Sequence, residues 1–253
     1  AEYIRKMESV QEIGFMPDYS AFMGAIIAHW KKELRPIMVL IDLKDFFPSI
    51  KRRRARRAAT KIWGNPELGT AATLNGKLAQ GHPLAPVIAN YASAEAKKQI
   101  QAVVAKIGGI AISYADDISI ALKRGTNIKA LIQKIDAILK SQGLERAKEK
   151  TRVIDSSRYP VTILGTVLHP DNSTRPSRKI RRGIRAIMHA VAKWEDPTTH
   201  PLRYKLEGYL NWSNICTRIA KSKRHKRGQL MVAPIVASMA LFRNTARLLS
   251  VAG

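Results

Sequence analysis

Two short apolar runs, Ile110–Tyr114 and Ile118–Leu122, are separated by nothing more than Ala115-Asp116-Asp117. So short a link between isoleucine-rich runs reads as a β-hairpin with two adjacent carboxylates at its tip. A third acid, Asp42, lies inside the run IMVLIDL over 37–43, whose β-branched residues read as a buried strand. Carboxylates in such places carry a desolvation cost, and adjacent ones repel, unless something compensates them. A divalent cation does so. Three carboxylates from two neighbouring strands suit a pair of Mg²⁺ ions about 3.5–4 Å apart, the arrangement of in-line phosphoryl transfer. Two plainer readings fit the same residues: a strand aspartate capped by a backbone amide, and Asp-Asp as an ordinary turn.

The rest of the chain is strongly basic. Of 253 residues, 44 are lysine or arginine and 19 are acidic, a formal net charge of +25. A hydrophobic fraction of 45% is enough for a real core, so this is not a disordered basic tail. Such an excess points to a polyanion, nucleic acid above all. It is concentrated in KRRRARR (51–57), RPSRKIRRGIR (175–185) and KSKRHKR (221–227), which line one groove or lie on separate faces. The single cysteine, Cys216, excludes an internal disulfide and any multi-thiolate zinc site, and is compatible with a reducing cytoplasm. The six histidines share no ligand-like spacing. No apolar stretch reaches the roughly 18 residues of a membrane span, and the N-terminus lacks the apolar run of a signal peptide, so a cytoplasmic protein is expected.

Periodicity predicts helices over 19–32, 50–63 with Ser49 as cap, 86–106, 127–141, 177–194 and 201–220, a strand over 161–168 and a helical C-terminus. The four tryptophans, Trp63 among them, fall on helical faces and are expected in the core. The order describes an α+β sheet domain followed by a helical module.

Longer words surround the acids. Asp42-Leu43-Lys44-Asp45-Phe46-Phe47-Pro48-Ser49-Ile50 resembles motif A of prokaryotic reverse transcriptases. Gln80-Gly81-His82-Pro83-Leu84-Ala85-Pro86 with Asn90 resembles their motif B, and Tyr114-Ala115-Asp116-Asp117 their YADD box. Lys150 follows an amphipathic helix as the motif D lysine does, Leu164-Gly165 fits motif E, and Leu206-Glu207-Gly208-Tyr209-Leu210 resembles a thumb-helix signature. The resemblance runs from about residue 13 to 215 and is to the retron and group II intron-like enzymes. Four positions depart from it: Ala85, Ala147, Ala25-Ile26 and Val161-Thr162-Ile163.

That resemblance implies a right-hand polymerase: short fingers over 1–36, an antiparallel palm with fingers insertions over 37–174, and a basic helical thumb over 175–253. It implies that Asp42 and Asp116 bind two Mg²⁺ ions (Mn²⁺ being an alternative), with the Leu43 carbonyl as a further ligand and Asp117 adding charge. Phe47 would pack under the incoming sugar and reject a 2′-hydroxyl. Gln80, Gly81 and Tyr114 would meet the nucleotide and template base, and Lys150, with Lys148 as rival, would serve the leaving pyrophosphate. Arg52, Arg53, Arg54, Arg178, Arg181 and Arg182 would hold nucleic acid. The expected partners are an RNA template, an RNA or DNA primer and dNTPs. Only 41 residues precede Asp42, fewer than the resemblance leads one to expect, so either the chain is a compact or truncated form or the fingers contacts to the triphosphate come from elsewhere, a protein partner or extra subunit among the sources. The reaction implied is RNA-directed DNA synthesis. Two alternatives stay open: a template-independent or protein-primed polymerase in phage defence, and a non-enzymatic RNA-binding scaffold of the maturase kind.

Overall fold

A computed structural model describes residues 35–171, 173–193, 201–208 and 210. The helix expected over 19–32 and most of the C-terminal expectations, Trp30, Trp194 and Trp212 included, lie outside these residues. In chain order the elements are β1 (Ile37–Asp42), α1 (Phe46–Ser49), α2 (Arg52–Trp63), α3 (Pro66–Ala71), β2 (Thr73–Leu74), β3 (Lys77–Leu78), α4 (Ala85–Lys106), β4 (Ile110–Tyr114) and β5 (Asp117–Leu122). They continue with α5 (Ile128–Ser141), a 3₁₀ turn (Lys148–Lys150), β6 (Arg152–Asp155), β7 (Val161–Ile163), β8 (Thr166–Leu168), β9 (Thr174–Pro176) and α6 (Arg178–Ala192). Residues 203–208 are helical.

The central sheet has the order β4-β5-β1-β6, every neighbour antiparallel. β1 reads as an unbroken apolar run because it is buried on both faces: Met38, Val39 and Ile41 are almost wholly inaccessible. On one face, α4 contributes Ile88, Ala89, Ile100 and Val104, and α5 contributes Leu131, Ile135 and Leu139, to one core with Val39, Ile118 and Ile120. Each fully buried Ile or Leu is worth about 1.5–3 kcal/mol. A smaller cluster joins Met38 and Ala121 to Val161, Ile163 and Leu168 of the β7-β8-β9 sheet. This sandwiching fixes the register of β1 on β5, since a slip of one residue would turn every inward side chain outward.

Three expectations are corrected. Ser49 caps no long helix: it ends α1, where its hydroxyl donates to the Phe46 carbonyl at 2.6 Å, and α2 starts after Lys51. The expected strand 161–168 is two strands folded back at Leu164-Gly165. Trp63 is 38% exposed rather than core: it is the last residue of α2 and stands at the edge of the face that buries Ala55, Ala58 and Ala59. The short α3, the β2-β3 ribbon, β6 and β9 went unread. Among the described residues no helix is long and apolar enough to cross a membrane.

Candidate active site

The register of the central sheet brings the acids together. Asp42, the last residue of β1, faces Asp117, the first of β5, and Asp117 in turn faces Tyr114 across the hairpin. The Leu43 amide donates to the Asp116 carbonyl at 3.0 Å, so the hairpin tip is pinned to the chain leaving β1. On the other side, the Ala147 amide donates to the Asp42 carbonyl at 2.8 Å, and Leu43 bridges Arg146. Asp42, Leu43, Tyr114, Asp116 and Asp117 therefore cluster at one end of the sheet. The tip is backbone-strained: Ala115 has φ +51°, a left-handed conformation uncommon for a residue with a Cβ.

Lys150 closes the group. Its ammonium donates to both carboxylate oxygens of Asp42, at 3.0 and 3.2 Å. The hydrogen bond and charge of Asp42 raise the Lys150 pKa above the usual lysine value. Burial, followed by the charges of Asp116 and Asp42, pushes Asp117 up to about 6; Lys150 opposes this. Although Asp117 is exposed in residue surface, the protein around its carboxyl and two like charges govern its titration. Asp116 is also raised, chiefly by burial, against a backbone hydrogen bond and the charges of Lys150 and Lys97. Asp116 and Asp117, both raised and with the Asp42 carboxylate beside them, form a donor set short of positive charge, and hard oxygen donors of this type fit Mg²⁺ or Mn²⁺. As placed, no three acidic, histidine or cysteine side chains among the described residues are gathered closely enough to chelate an ion. The ammonium of Lys150 holds the Asp42 oxygens instead.

Two supporting residues escaped the sequence reading. Lys97 of α4 is 1% exposed, its ammonium 3.5 Å from Asn90 Oδ1 and 5.4 Å from the centroid of the Phe46 ring. It places a buried positive charge near Asp116. The available signal was its position two turns after Asn90, on one helix face. Arg146 is buried and donates Nε and Nη2 to the two oxygens of Asp136, each at 2.8 Å, and Nη1 to Thr151 Oγ1 at 2.9 Å. The pairing holds Asp136 below the usual carboxylate range. This brace fixes the segment that carries Lys150.

The other expected residues are spread more widely. Phe46 is buried core and Phe47 half-buried, the two rings meeting edge-on at 5.4 Å. Gln80 and Gly81 are exposed in the loop before α4. A Cβ on Gly81 would meet nothing within 4 Å, so its φ of +94°, not crowding, is what calls for glycine. Arg52 and Arg53 are exposed on α2. Arg54 leaves the nucleic-acid set: it turns inward and donates to the Gln142 and Ala92 carbonyls, tying α2 to α4 and the end of α5. Arg178, Arg181 and Arg182 are exposed on α6.

A family model described as "Reverse transcriptase (RNA-dependent DNA polymerase)" matches residues 3–168. Among characterised proteins, the chain is 27% identical to the retron Mx65 reverse transcriptase of Myxococcus xanthus, over 80% of this chain and 50% of that one. It is 26% identical to the retron Mx162 reverse transcriptase of the same organism, over 70% and 43%. The chain thus spans about half the length of the relatives it matches. Among solved structures, telomerase from Candida tropicalis superposes with a TM-score of 0.55 at 10% identity, over 89% of this chain and 50% of that one. Telomerase from Candida albicans gives 0.54 at 11%, over 87% and 45%. At such identities the likeness is one of fold.

Proposed function

The chain belongs to the reverse transcriptase family, and on that premise we propose that it is an RNA-directed DNA polymerase of retron type. One observation carries the reading: the antiparallel register sets Asp42 opposite Asp117, with Asp116 pinned beside them by the Leu43 amide. In the proposed reaction, the primer 3′-oxygen attacks the α-phosphorus of a dNTP, the bond to the β-phosphate breaks, and pyrophosphate leaves.

Asp42, Asp116 and the Leu43 carbonyl are the residues that would hold two Mg²⁺ ions, Asp117 adding charge beside them. Bound there, the ions would neutralise charge developing on the attacking and leaving oxygens. The chain's own residues do the rest. Lys150, protonated and mobile enough to leave Asp42, donates its proton to the departing pyrophosphate. Phe47 lies half-exposed where its ring can pack under a deoxyribose, while Phe46 anchors the turn below it. Gln80, Gly81 and Tyr114 contact the incoming nucleotide and its template partner. Arg52 and Arg53, with Arg178, Arg181 and Arg182, hold the template–primer backbone, so binding weakens steeply with salt. RNA-containing duplexes are held by shape and phosphate more than by sequence.

The proposal extends to a palm with fingers insertions over 37–174, fingers before it, a basic thumb from 175, and a cytoplasmic setting where dNTPs and RNA meet. The retron assignment is supported by the Myxococcus xanthus relatives. The test is primer extension on RNA with Mg²⁺ and labelled dNTPs, beside Asp116→Asn and Asp117→Asn. Template-dependent product that vanishes in the variants is expected. Equal product without template would replace this reading with a template-independent transferase, and RNA-dependent function surviving in the variants would replace it with a scaffold.

A further inference from the structure

A concavity of about 680 Å³ lies at the turn after β1, the end of α5 and the 3₁₀ turn. Six cationic side chains and three acids line it. The charges do not cancel. Arg146 and Asp136 satisfy one another through two 2.8 Å hydrogen bonds. Glu145 reaches Lys44 only at 3.9 Å, both side chains well exposed, so that pair contributes little. Asp45 is the third acid, and the charge of Lys148 also bears on Asp136; Lys51, Lys77, Lys140 and Lys148 make no salt bridge within 4 Å among the described residues, so six cations against three acids leave the lining positive. Four lysines, from the approach to α2, from β3, from α5 and from the 3₁₀ turn, line one hollow. Such a concavity concentrates positive potential and draws a compact polyanion. No aromatic side chain lines it, so it has nothing on which a base would stack. Lysine is a point-charge partner for phosphate, without the fork that selects a carboxylate.

Its position is as telling as its charge. One wall is the strand pair that ends at the carboxylates: Lys44 N donates to the Glu145 carbonyl at 2.8 Å and Ala147 N to the Asp42 carbonyl at 2.8 Å. Lys44 stands two residues after Asp42, and Lys148 two before Lys150. The lining therefore begins two residues along the chain from Asp42 on one side and from Lys150 on the other. We propose that this lysine-lined cleft captures inorganic pyrophosphate as it leaves the carboxylate site, an inference that rests on the polymerase reading. Capture there separates the product from the new 3′ end and hinders the reverse reaction, in which pyrophosphate would cleave the bond just made.

The experiment is calorimetric titration of the full chain with inorganic pyrophosphate in EDTA, where no divalent ion can bridge phosphate to the carboxylates. The cleft variant is Lys51→Gln, Lys77→Gln, Lys140→Gln. A charge-matched control, Lys98→Gln, Lys129→Gln, Lys134→Gln, removes three exposed lysines outside the cleft. Affinity is expected to fall about tenfold or more in the cleft variant and by less than about threefold in the control. Replacing the three cleft lysines by arginine restores binding. An equal fall in both variants means diffuse charge attraction and overturns the proposal, as does no fall in either. A cleft variant that loses template–primer affinity while keeping pyrophosphate affinity makes the cleft a nucleic-acid contact, and also overturns it. Primer extension on the same samples separates the two readings. Wild-type synthesis without cleft-dependent pyrophosphate binding sinks the capture site alone. Cleft-dependent binding without any synthesis sinks the polymerase reading and leaves a polyphosphate site.

Discussion

Among the described residues three hairpins have two-residue links; two of them invite comparison, Ala115-Asp116 between β4 and β5, and Leu164-Gly165 between β7 and β8, the third being Asn75-Gly76 between β2 and β3. In the second, both residues have positive φ, +47° and +84°, the pattern of a type I′ turn with glycine where it is most needed. In the first, only Ala115 does, and no glycine relieves it. The second tip carries no charge. The first carries Asp116, with Asp117 directly after it and Asp42 across the ladder. One hairpin is thus built for ease of folding, and the other holds a strained backbone and crowded carboxylates where chemistry is proposed. Strain of this kind persists only where its surroundings over-determine it; here the buried Ala115 methyl and the bond from Leu43 N do so.

Substitutions that abolish the charge of the first tip should give the largest contrast. Asp42→Asn and Asp116→Asn are each expected to lower template-directed turnover about 10³-fold. Leu164→Asn at the second tip should change it less than about twofold. Primer extension under saturating Mg²⁺ reads both, and a fall below tenfold for Asp42→Asn would erase the distinction between the hairpins. Next comes the lysine on Asp42. Lys150→Met is expected to cost about 10²-fold in turnover, the usual worth of a positioned proton donor. Lys148→Met lacks that contact and should cost far less. A larger loss for Lys148→Met would move the role to Lys148.

Asp117 sharpens the comparison through stability. Its folded pKa of about 6 stands above the ordinary 3.8. The folded chain therefore holds a proton that the unfolded chain releases. Without divalent ions, stability falls as pH rises from about 3.8 through 6 and stays lowered above that. Asp117→Asn should accordingly melt higher than wild type in EDTA at neutral pH, with the gap closing as pH approaches 4. Adding Mg²⁺ should raise the wild-type melting temperature more than the variant's. Differential scanning fluorimetry across pH measures both; a variant that melts lower at neutral pH contradicts the crowded-carboxylate account.

The first hairpin was legible because Asp-Asp interrupts two apolar runs, which no buried strand tolerates without cause. The second was not, because Leu164 continues the apolar run of VTILGTVL and one glycine is a weak signal. Ser49 misled for a related reason: serine before a helical pattern reads as a cap, whereas the break falls at Ile50-Lys51, where Lys51 bridges Lys77 of a strand the sequence does not announce. The resemblance narrows the lysine near Asp42 to two positions, Lys148 and Lys150, but only the structure shows which reaches the carboxylate. Arg54 is one of six cations in a seven-residue run, and its inward turn follows from standing beside the Ala55, Ala58 and Ala59 face that packs inward. Nothing in the sequence sets Lys97 apart from Lys98 beside it, since composition does not reveal which helix face meets a core.

The smallest effect probes the backbone alone. Ala115→Gly removes left-handed strain worth roughly 1–2 kcal/mol. It also gives up a buried methyl, worth about 0.8 kcal/mol, and frees the unfolded chain by about 0.4–1 kcal/mol. The contributions nearly cancel, which is why alanine can stand where the turn would ordinarily take glycine. Gly165→Ala has no such offset in conformation: at φ +84° the new Cβ is strained, and the expected loss is about 1 kcal/mol, or roughly 2–4 °C in melting temperature for a chain of this size. Ala115→Gly should shift melting by less than that. If instead it raises the melting temperature by several degrees, Ala115 holds strain that its methyl does not balance. The first hairpin would then be maintained against stability for the sake of the carboxylates it presents.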